Sequence, residues 1–236
     1  MLLSYKEADN LRVLLPKIKK NVEKCGEDFE ILVIDAPKKL DRTKEICDLF
    51  DVRYYHQEKP HFGGALRTGI KYAKKDKFLI LDSDGSHLPK YIPAIYQKFV
   101  SDSCDVVIGS RYIKGGKNRD KALSVLMSKI LNLTYRTALN LKVRDLSTDY
   151  RMYDTAQLKR VKLKCDHYDV LQEVLVKMRL RNNALKVEEV PICFEKRLYG
   201  RSKRKMLRFM LSYLKTLIYL MGLCEKRRHG IKNRTD

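Results

Sequence analysis

Two carboxylates one residue apart, Asp82 and Asp84, follow the apolar run Phe78-Leu79-Ile80-Leu81. Placed just past a buried strand, such a pair can address one hard cation. Mg2+ and Mn2+ take oxygen ligands of this kind together with substrate phosphates. Ser86 lies two residues on and offers a third oxygen, to the ion or to a water on it. Taken alone, an Asp-x-Asp is a common acidic turn, and the strand leading into it gives this one its weight. Arg111 follows a second apolar run, Cys104–Gly109. A guanidinium fixed at a strand end suits a phosphate oxygen. Glu7 and Asp35 sit near the ends of the first two expected strands, where a carboxylate can accept hydrogen bonds from a base or a ribose. Each alone reads equally as a charge at a helix N-terminus. In His61-Phe62-Gly63-Gly64-Ala65 the glycines would let backbone approach a ligand, although the pattern is not a dinucleotide-binding G-x-G-x-x-G. Arg197, Gly200, Ser202 and Lys203 form a spaced basic loop, either a lid over a diphosphate or a solvated turn.

The surrounding elements must bring these residues together. Leu11, Leu14, Leu15, Ile18 and Val22 recur at helical spacing. Strands are expected over 29–35, 52–56, 77–82 and 104–109, with helices over 41–50, 63–74 and 89–100. Strands alternating with helices imply an α/β fold with a mostly parallel, Rossmann-like sheet and helices on both faces. In such sheets ligands sit beyond the carboxyl ends of the strands, where Asp35, Asp82 and Ser110-Arg111 all fall. The second half reads less regularly: a long helix over 121–141, a short mixed stretch over 146–153, a helix over 168–181, a strand over 184–195 and a helix over 205–223.

The chain has 236 residues, with 50 Lys and Arg against 29 Asp and Glu, a net charge of +21. From Lys196 to Asp236 there are 13 basic and 2 acidic residues, so about half of the excess lies in the last sixth. Such a tail points to an anionic surface. No aromatic-and-basic motif of the known nucleic-acid modules accompanies it, so nucleic acid is not an expected partner. Six scattered cysteines without a CxxC pair read as reduced thiols of a cytosolic protein. No signal peptide is expected, and no run of about 18 uncharged apolar residues could span a bilayer. Over 206–223 the polar residues Arg208, Ser212, Lys215 and Thr216 fall on one stripe and leave a wide apolar face between basic clusters. That pattern fits a helix lying in a membrane interface, and equally a helix packed on the core. Residues 1–204 are expected to form the catalytic domain and 205–236 a basic amphipathic helix and tail.

Read in order, these pieces resemble the family-2 inverting glycosyltransferases of GT-A fold, in particular the dolichol- and polyprenol-phosphate mannosyl- and glucosyltransferases. The resemblance covers roughly residues 1–205. It rests on Tyr5-Lys6-Glu7, on Phe62-Gly63-Gly64-Ala65 with Thr68-Gly69, on LDSDGSHLP, VVIGSRYIKGG and DLSTDYRMY, and on VPICFEKRLYGRSK. It implies a nucleotide-diphosphate sugar donor, a lipid-phosphate acceptor, Mg2+ or Mn2+, and a peripheral place on the cytoplasmic face of a membrane. It assigns Asp82, Asp84 and Ser86 to the metal. Ser4, Tyr5, Glu7, Asp35, Gly64, Arg67, Ser83, Arg197, Ser202 and Lys203 are assigned with Asp82 to the donor. Arg111, helped by Arg119 or Lys121, is assigned to the acceptor phosphate, and Asp84 to catalysis. Several positions depart from the family pattern: Ala36 follows Asp35, Asp149 replaces a glycine, and the first strand is reduced to Met1-Leu2-Leu3, as in a trimmed chain. The implied reaction is displacement at the anomeric carbon with inversion. A hydroxyl acceptor in polysaccharide synthesis would instead need a base, for which Asp145, Asp149 and Glu173 are candidates. A nucleotide-sugar-binding protein without activity is the non-enzymatic alternative.

Overall fold

The computed structural model describes residues 1–200 and 206–230. Its centre is a seven-stranded sheet in the order β3-β2-β1-β4-β7-β5-β8. The strands are β1 (Leu2–Leu3), β2 (Leu32–Asp35), β3 (Arg53–His56), β4 (Lys77–Asp82), β5 (Val106–Ser110), β7 (Arg151–Asp154) and β8 (Val187–Pro191). A small second sheet pairs β6 (Lys117–Asn118) with β9 (Cys193–Phe194). All pairings in the large sheet are parallel except those of β7, which runs antiparallel between β4 and β5. Asp35, Asp82 and Ser110 therefore end their strands at one common edge, as the alternation of strands and helices requires.

Alternating side chains supply both faces of the sheet. Phe78 and Ile80 of β4, with Val106 and Ile108 of β5, enter one core cluster. Leu81 and Val107, one residue out of phase, enter the other. The first cluster is covered by α3 (His61–Tyr72), α5 (Ala122–Leu139), α7 (Val170–Arg181) and α8 (Met206–Arg228), the second by α1 (Ala8–Glu23) and α4 (Ile92–Ser101). Two short helices, α2 (Thr43–Leu49) and α6 (Thr155–Lys159), complete the set.

Two sequence readings change. The stretch over 146–153 read as short and mixed, yet β7 is a central strand. Its first residue is a fully buried arginine, whose guanidinium donates to the carbonyls of Thr148, Leu146 and Leu171. A charge inside the strand hid its apolar pattern. The stripe drawn on the last helix also shifts. Thr216 is buried and donates to Asp169, and with Tyr213, Leu217 and Leu220 it seats α8 on the core. The outward side carries Met210, Leu211, Leu214, Ile218 and Met221. No helix among the described residues is long and apolar enough to cross a membrane. At the amino-terminal edge of β1, β2 and β4, opposite the strand ends that carry the carboxylates, lies a cavity of about 330 Å3 lined by Ile18, Val22, Phe29, Phe78 and Tyr96.

Candidate active site

β4 delivers Asp82 to the sheet edge, and the chain then turns through Asp84-Gly85-Ser86. Gly85 adopts φ +85°, and a Cβ there would lie 2.5 Å from the Leu198 side chain, so only glycine fits. The Ser86 amide donates to Asp84 Oδ1 at 2.9 Å, and the Ser86 hydroxyl donates to the same oxygen at 2.5 Å. The hydroxyl also lies 3.4 Å from Asp82 Oδ2. Ser86 thus links the two aspartates, and three hard oxygen donors converge. Burial, then the neighbouring Asp82, pushes the Asp84 carboxyl above the usual carboxylate range. Ser83 turns away and donates to the Leu3 carbonyl at 2.6 Å, tying the turn to β1.

Beneath the pair lies a group that sequence reading did not assign. His87 Nδ1 accepts from the Asp82 amide at 3.1 Å, and Nε2 lies 3.3 Å from Thr148 Oγ1. Burial lowers the His87 pKa to about 3, so the ring is neutral. Nδ1 also sits 3.6 Å from Asp82 Oδ2 and 3.5 Å from Asp149 Oδ1. Asp82, His87 and Asp149 offer ligand atoms within 4.8 Å of one another, a second set able to hold an ion. Asp82 belongs to both sets. Burial, then Asp82, raises the Asp149 carboxyl well above its ordinary range.

The segment after β9 lies along this turn. The Glu195 amide donates to the Ser86 carbonyl at 3.0 Å and the Leu198 amide to the Asp84 carbonyl at 2.9 Å. Arg197 Nη2 reaches Asp84 Oδ2 at 2.7 Å, and Nη1 lies 3.5 Å from Glu7 Oε1. A guanidinium therefore rests on Asp84. Ser202 and Lys203, the other expected lid residues, lie outside the described residues.

At the end of β2, Asp35 is buried, and its Oδ2 accepts from the Tyr54 hydroxyl at 2.9 Å. Ser4 is buried beside Thr43, and Tyr5 is exposed at the same edge. Gly64 and Arg67 lie against neighbouring backbone. A Cβ on Gly64 would lie 2.0 Å from the Lys59 carbonyl oxygen, and one on Gly63 would lie 2.2 Å from that of Cys165. These glycines let two backbones pack closely. Arg67 donates to the Cys165 carbonyl at 2.8 Å and to Asp166 at 2.6 Å, holding α3 to that loop.

Arg111 is turned inward. Its Nε and Nη2 grip Asp145 at 2.7 and 2.8 Å, and Nη2 also reaches Ser147 Oγ at 2.5 Å. Burial opposes ionisation of Asp145, and the Arg111 guanidinium outweighs it, holding the carboxyl below its usual range. Arg119 is exposed and pairs with Glu195 at 3.2 Å, and Lys121 is exposed at the start of α5. Of the three candidate bases, Asp145 is taken by Arg111. Glu173 is taken by Lys177 at 2.8 Å and by the amides of Lys164 and Cys165. Asp149 alone stands beside the aspartate pair.

Residues 2–162 match the family model for Glycosyl transferase family 2. The chain belongs to that family. It is 30% identical over 226 residues to a dolichol-phosphate mannosyltransferase of Pyrococcus furiosus, an alignment covering 92% of this chain and 62% of that relative. It is 30% identical over 212 residues to a polyprenol monophosphomannose synthase of Mycolicibacterium smegmatis, covering 85% of this chain and 78% of the relative. The chain thus spans about three-fifths of the first relative's length. Crystal structures of glucosyl-3-phosphoglycerate synthase from Mycobacterium tuberculosis share the GT-A fold. One, bound to Mn2+, UDP and phosphoglyceric acid, superposes with a TM-score of 0.73 at 16% identity over 94% of this chain and 77% of that one. Another holds Mg2+ and UDP, with a TM-score of 0.72 at 16% identity over 94% of this chain and 78% of that one.

Proposed function

We propose that this chain transfers a hexose, with inversion, from a nucleotide-diphosphate sugar to a polyprenyl or dolichyl phosphate. The donor is GDP-mannose or a UDP-hexose. The observation that carries the reading is the convergence of Asp82, Asp84 and Ser86 at the strand edge with a guanidinium resting on Asp84. The names of the two relatives support the polyprenyl acceptor. Those three oxygen donors fit Mg2+ or Mn2+, which, when bound, neutralises charge on the departing diphosphate.

The remaining work falls to the chain's own groups. Glu7 and Asp35 accept hydrogen bonds from the nucleoside, while Ser4 and Tyr5 border it. Arg197 covers the diphosphate and offsets its developing charge. Arg119 and Lys121 attract the acceptor phosphate, and Arg111 orients it through Nη1, which has no protein acceptor among the described residues. A phosphate monoester is already anionic near neutral pH, its second pKa being about 6. One of its oxygens attacks the anomeric carbon opposite the leaving diphosphate, which departs with the bonding electron pair. No side chain need remove a proton. A hydroxyl acceptor would need Asp149 as its base, because Asp145 is committed to Arg111 and Glu173 to Lys177.

In this reading residues 1–204 carry catalysis, and 205–236 hold the enzyme to the cytoplasmic face of a membrane. Leu123, Leu126, Ile130 and Leu133 stand exposed on one stripe of α5, and Met210, Leu211, Leu214, Ile218 and Met221 on the outer side of α8. The two helices meet through Tyr135, whose hydroxyl donates to the Tyr213 carbonyl. Exposed Lys121, Lys129 and Lys215, with 226–228, supply positive charge beside the apolar surface. The deciding experiment mixes the protein with Mn2+ or Mg2+, polyprenyl phosphate and each donor in turn, and reads glycolipid by mass. Product with one donor, lost in Asp84→Ala and in excess EDTA, is expected. Product that persists in both would refute the metal-dependent reading.

A further inference from the structure

The segment 195–200 is held shut from two sides. On one side its backbone follows the metal-binding turn, with the Glu195 and Leu198 amides donating to the Ser86 and Asp84 carbonyls. On the other, Asn10 of α1 grips it. Asn10 Oδ1 accepts from the Tyr199 amide at 3.1 Å, and Nδ2 lies 3.4 Å from the Tyr199 carbonyl, so one amide side chain meets both polar groups of one residue. The same Nδ2 donates to Glu7 Oε2. Asn10 is buried, at 3% exposure. A buried amide with both ends satisfied this way has one favourable orientation. That orientation sets where Tyr199 lies, and hence where Arg197, two residues earlier, can reach.

Arg197 reaches the carboxylates expected to serve metal and nucleotide. Nη2 lies 2.7 Å from Asp84 Oδ2 and Nη1 lies 3.5 Å from Glu7 Oε1. Leu198 closes the gap by packing on Gly85. Asp82 and Asp84 sit one residue apart in a partly buried turn, where uncompensated negative charge is costly. A cation beside Asp84, metal or guanidinium, offsets that cost.

We propose that Arg197 is the counter-ion of Asp84 whenever no divalent cation is bound, that it and the cation are alternative partners of Asp84, and that Asn10 is the positioning residue that holds it there. This deepens the metal reading proposed above and rests on it. Binding of the cation together with a nucleoside diphosphate frees the guanidinium from Asp84 and gives it the diphosphate as a new anionic partner. The strap therefore stays on Asp84 until metal and donor bind, and then changes partner. Metal alone must displace Arg197, whereas metal with diphosphate need not leave it unpaired. The two ligands should consequently bind with positive coupling, and each should report on the other.

The test uses the full chain and measures Mn2+ binding by electron paramagnetic resonance, with and without GDP or UDP. Wild type, Arg197→Gln and Asn10→Ala are compared, and amide exchange at Leu198 and Tyr199 monitors the strap. Without nucleotide, Arg197→Gln is expected to bind Mn2+ about tenfold or more tightly than wild type, equivalent to about 1.4 kcal/mol. Asn10→Ala should move in the same direction by less, with faster exchange at Tyr199. With nucleotide present the order reverses, and both variants bind the Mn2+–diphosphate complex more weakly than wild type. A purely structural role for Asn10 would loosen the fold without raising Mn2+ affinity. If Asn10→Ala does not fold, the Arg197→Gln comparison decides alone. Equal or weaker Mn2+ binding by nucleotide-free Arg197→Gln overturns the inference while leaving the metal site intact. Failure of all three proteins to bind Mn2+, with or without nucleotide, overturns the metal reading and the inference together.

Discussion

Replacing Arg111 by alanine separates two roles that the sequence alone left merged. Asp145 is fully buried, and Arg111 satisfies both of its oxygens from Nε, Nη2 and the backbone amide. Removing the guanidinium leaves a carboxylate in the interior with the Ser147 amide and hydroxyl and the Arg111 backbone amide as its remaining donors. Breaking one side of a buried pair costs about 3–5 kcal/mol, mostly the penalty of the orphaned charge. For a chain of this size each kcal/mol lowers Tm by roughly 2–4 °C, so a drop of about 6–20 °C at pH 7 is expected in calorimetry. Asp145 lies below its ordinary pKa in the folded protein. Its pairing therefore contributes stability that is present above about pH 4, the unfolded value, and is lost as pH falls through the lower folded value. The deficit of Arg111→Ala should shrink along that descent. Arg111→Ala/Asp145→Ala removes the orphan, so it should be more stable than the sum of the single variants by about 1.5 kcal/mol or more. An Arg111→Ala protein within about 1 kcal/mol of wild type, or additive single and double variants, would refute this account and return Arg111 to a role at the acceptor alone.

Two further outcomes follow from the site and the exposed helices. Because the folded Asp84 carboxyl lies above the usual range, protons compete with the cation sooner than at an ordinary aspartate. Mn2+ affinity measured by calorimetry should fall with decreasing pH with a midpoint above about 3.9, and a midpoint at or below that value would contradict it. On α5, Leu126→Glu with Ile130→Glu should weaken co-sedimentation with anionic vesicles by at least about tenfold, given about 1.5–3 kcal/mol for each buried aliphatic side chain, while nucleotide-dependent Mn2+ binding is retained. Unchanged co-sedimentation would remove α5 from the membrane contact.

Much of the catalytic edge was legible in the sequence, because local patterns encode it. An apolar run ending in an acid can be read from hydropathy alone, and β4 spans Lys77–Asp82 as expected. The ordered motifs fixed the family and the GT-A fold. What the sequence could not show was how distant segments share their charges. Arg111 looked like a free phosphate ligand until the fold brought Asp145 to it from 34 residues away. Gly64 and Arg67 also pack on Lys59 and the loop at 165–166, contacts that no local pattern encodes. β7 was hidden because Arg151 is solvated by carbonyls rather than by water, a solution that exists only after folding. Asn10 carries no motif of its own, and its hydrogen bonds to Tyr199, 189 residues further along the chain, exist only in the fold. Periodicity and short motifs determine which residues reach the edge of the sheet. Which of them remain available for a ligand is decided by long-range pairing of charges and hydrogen bonds, because a buried charge is tolerated only where the tertiary structure supplies its partner.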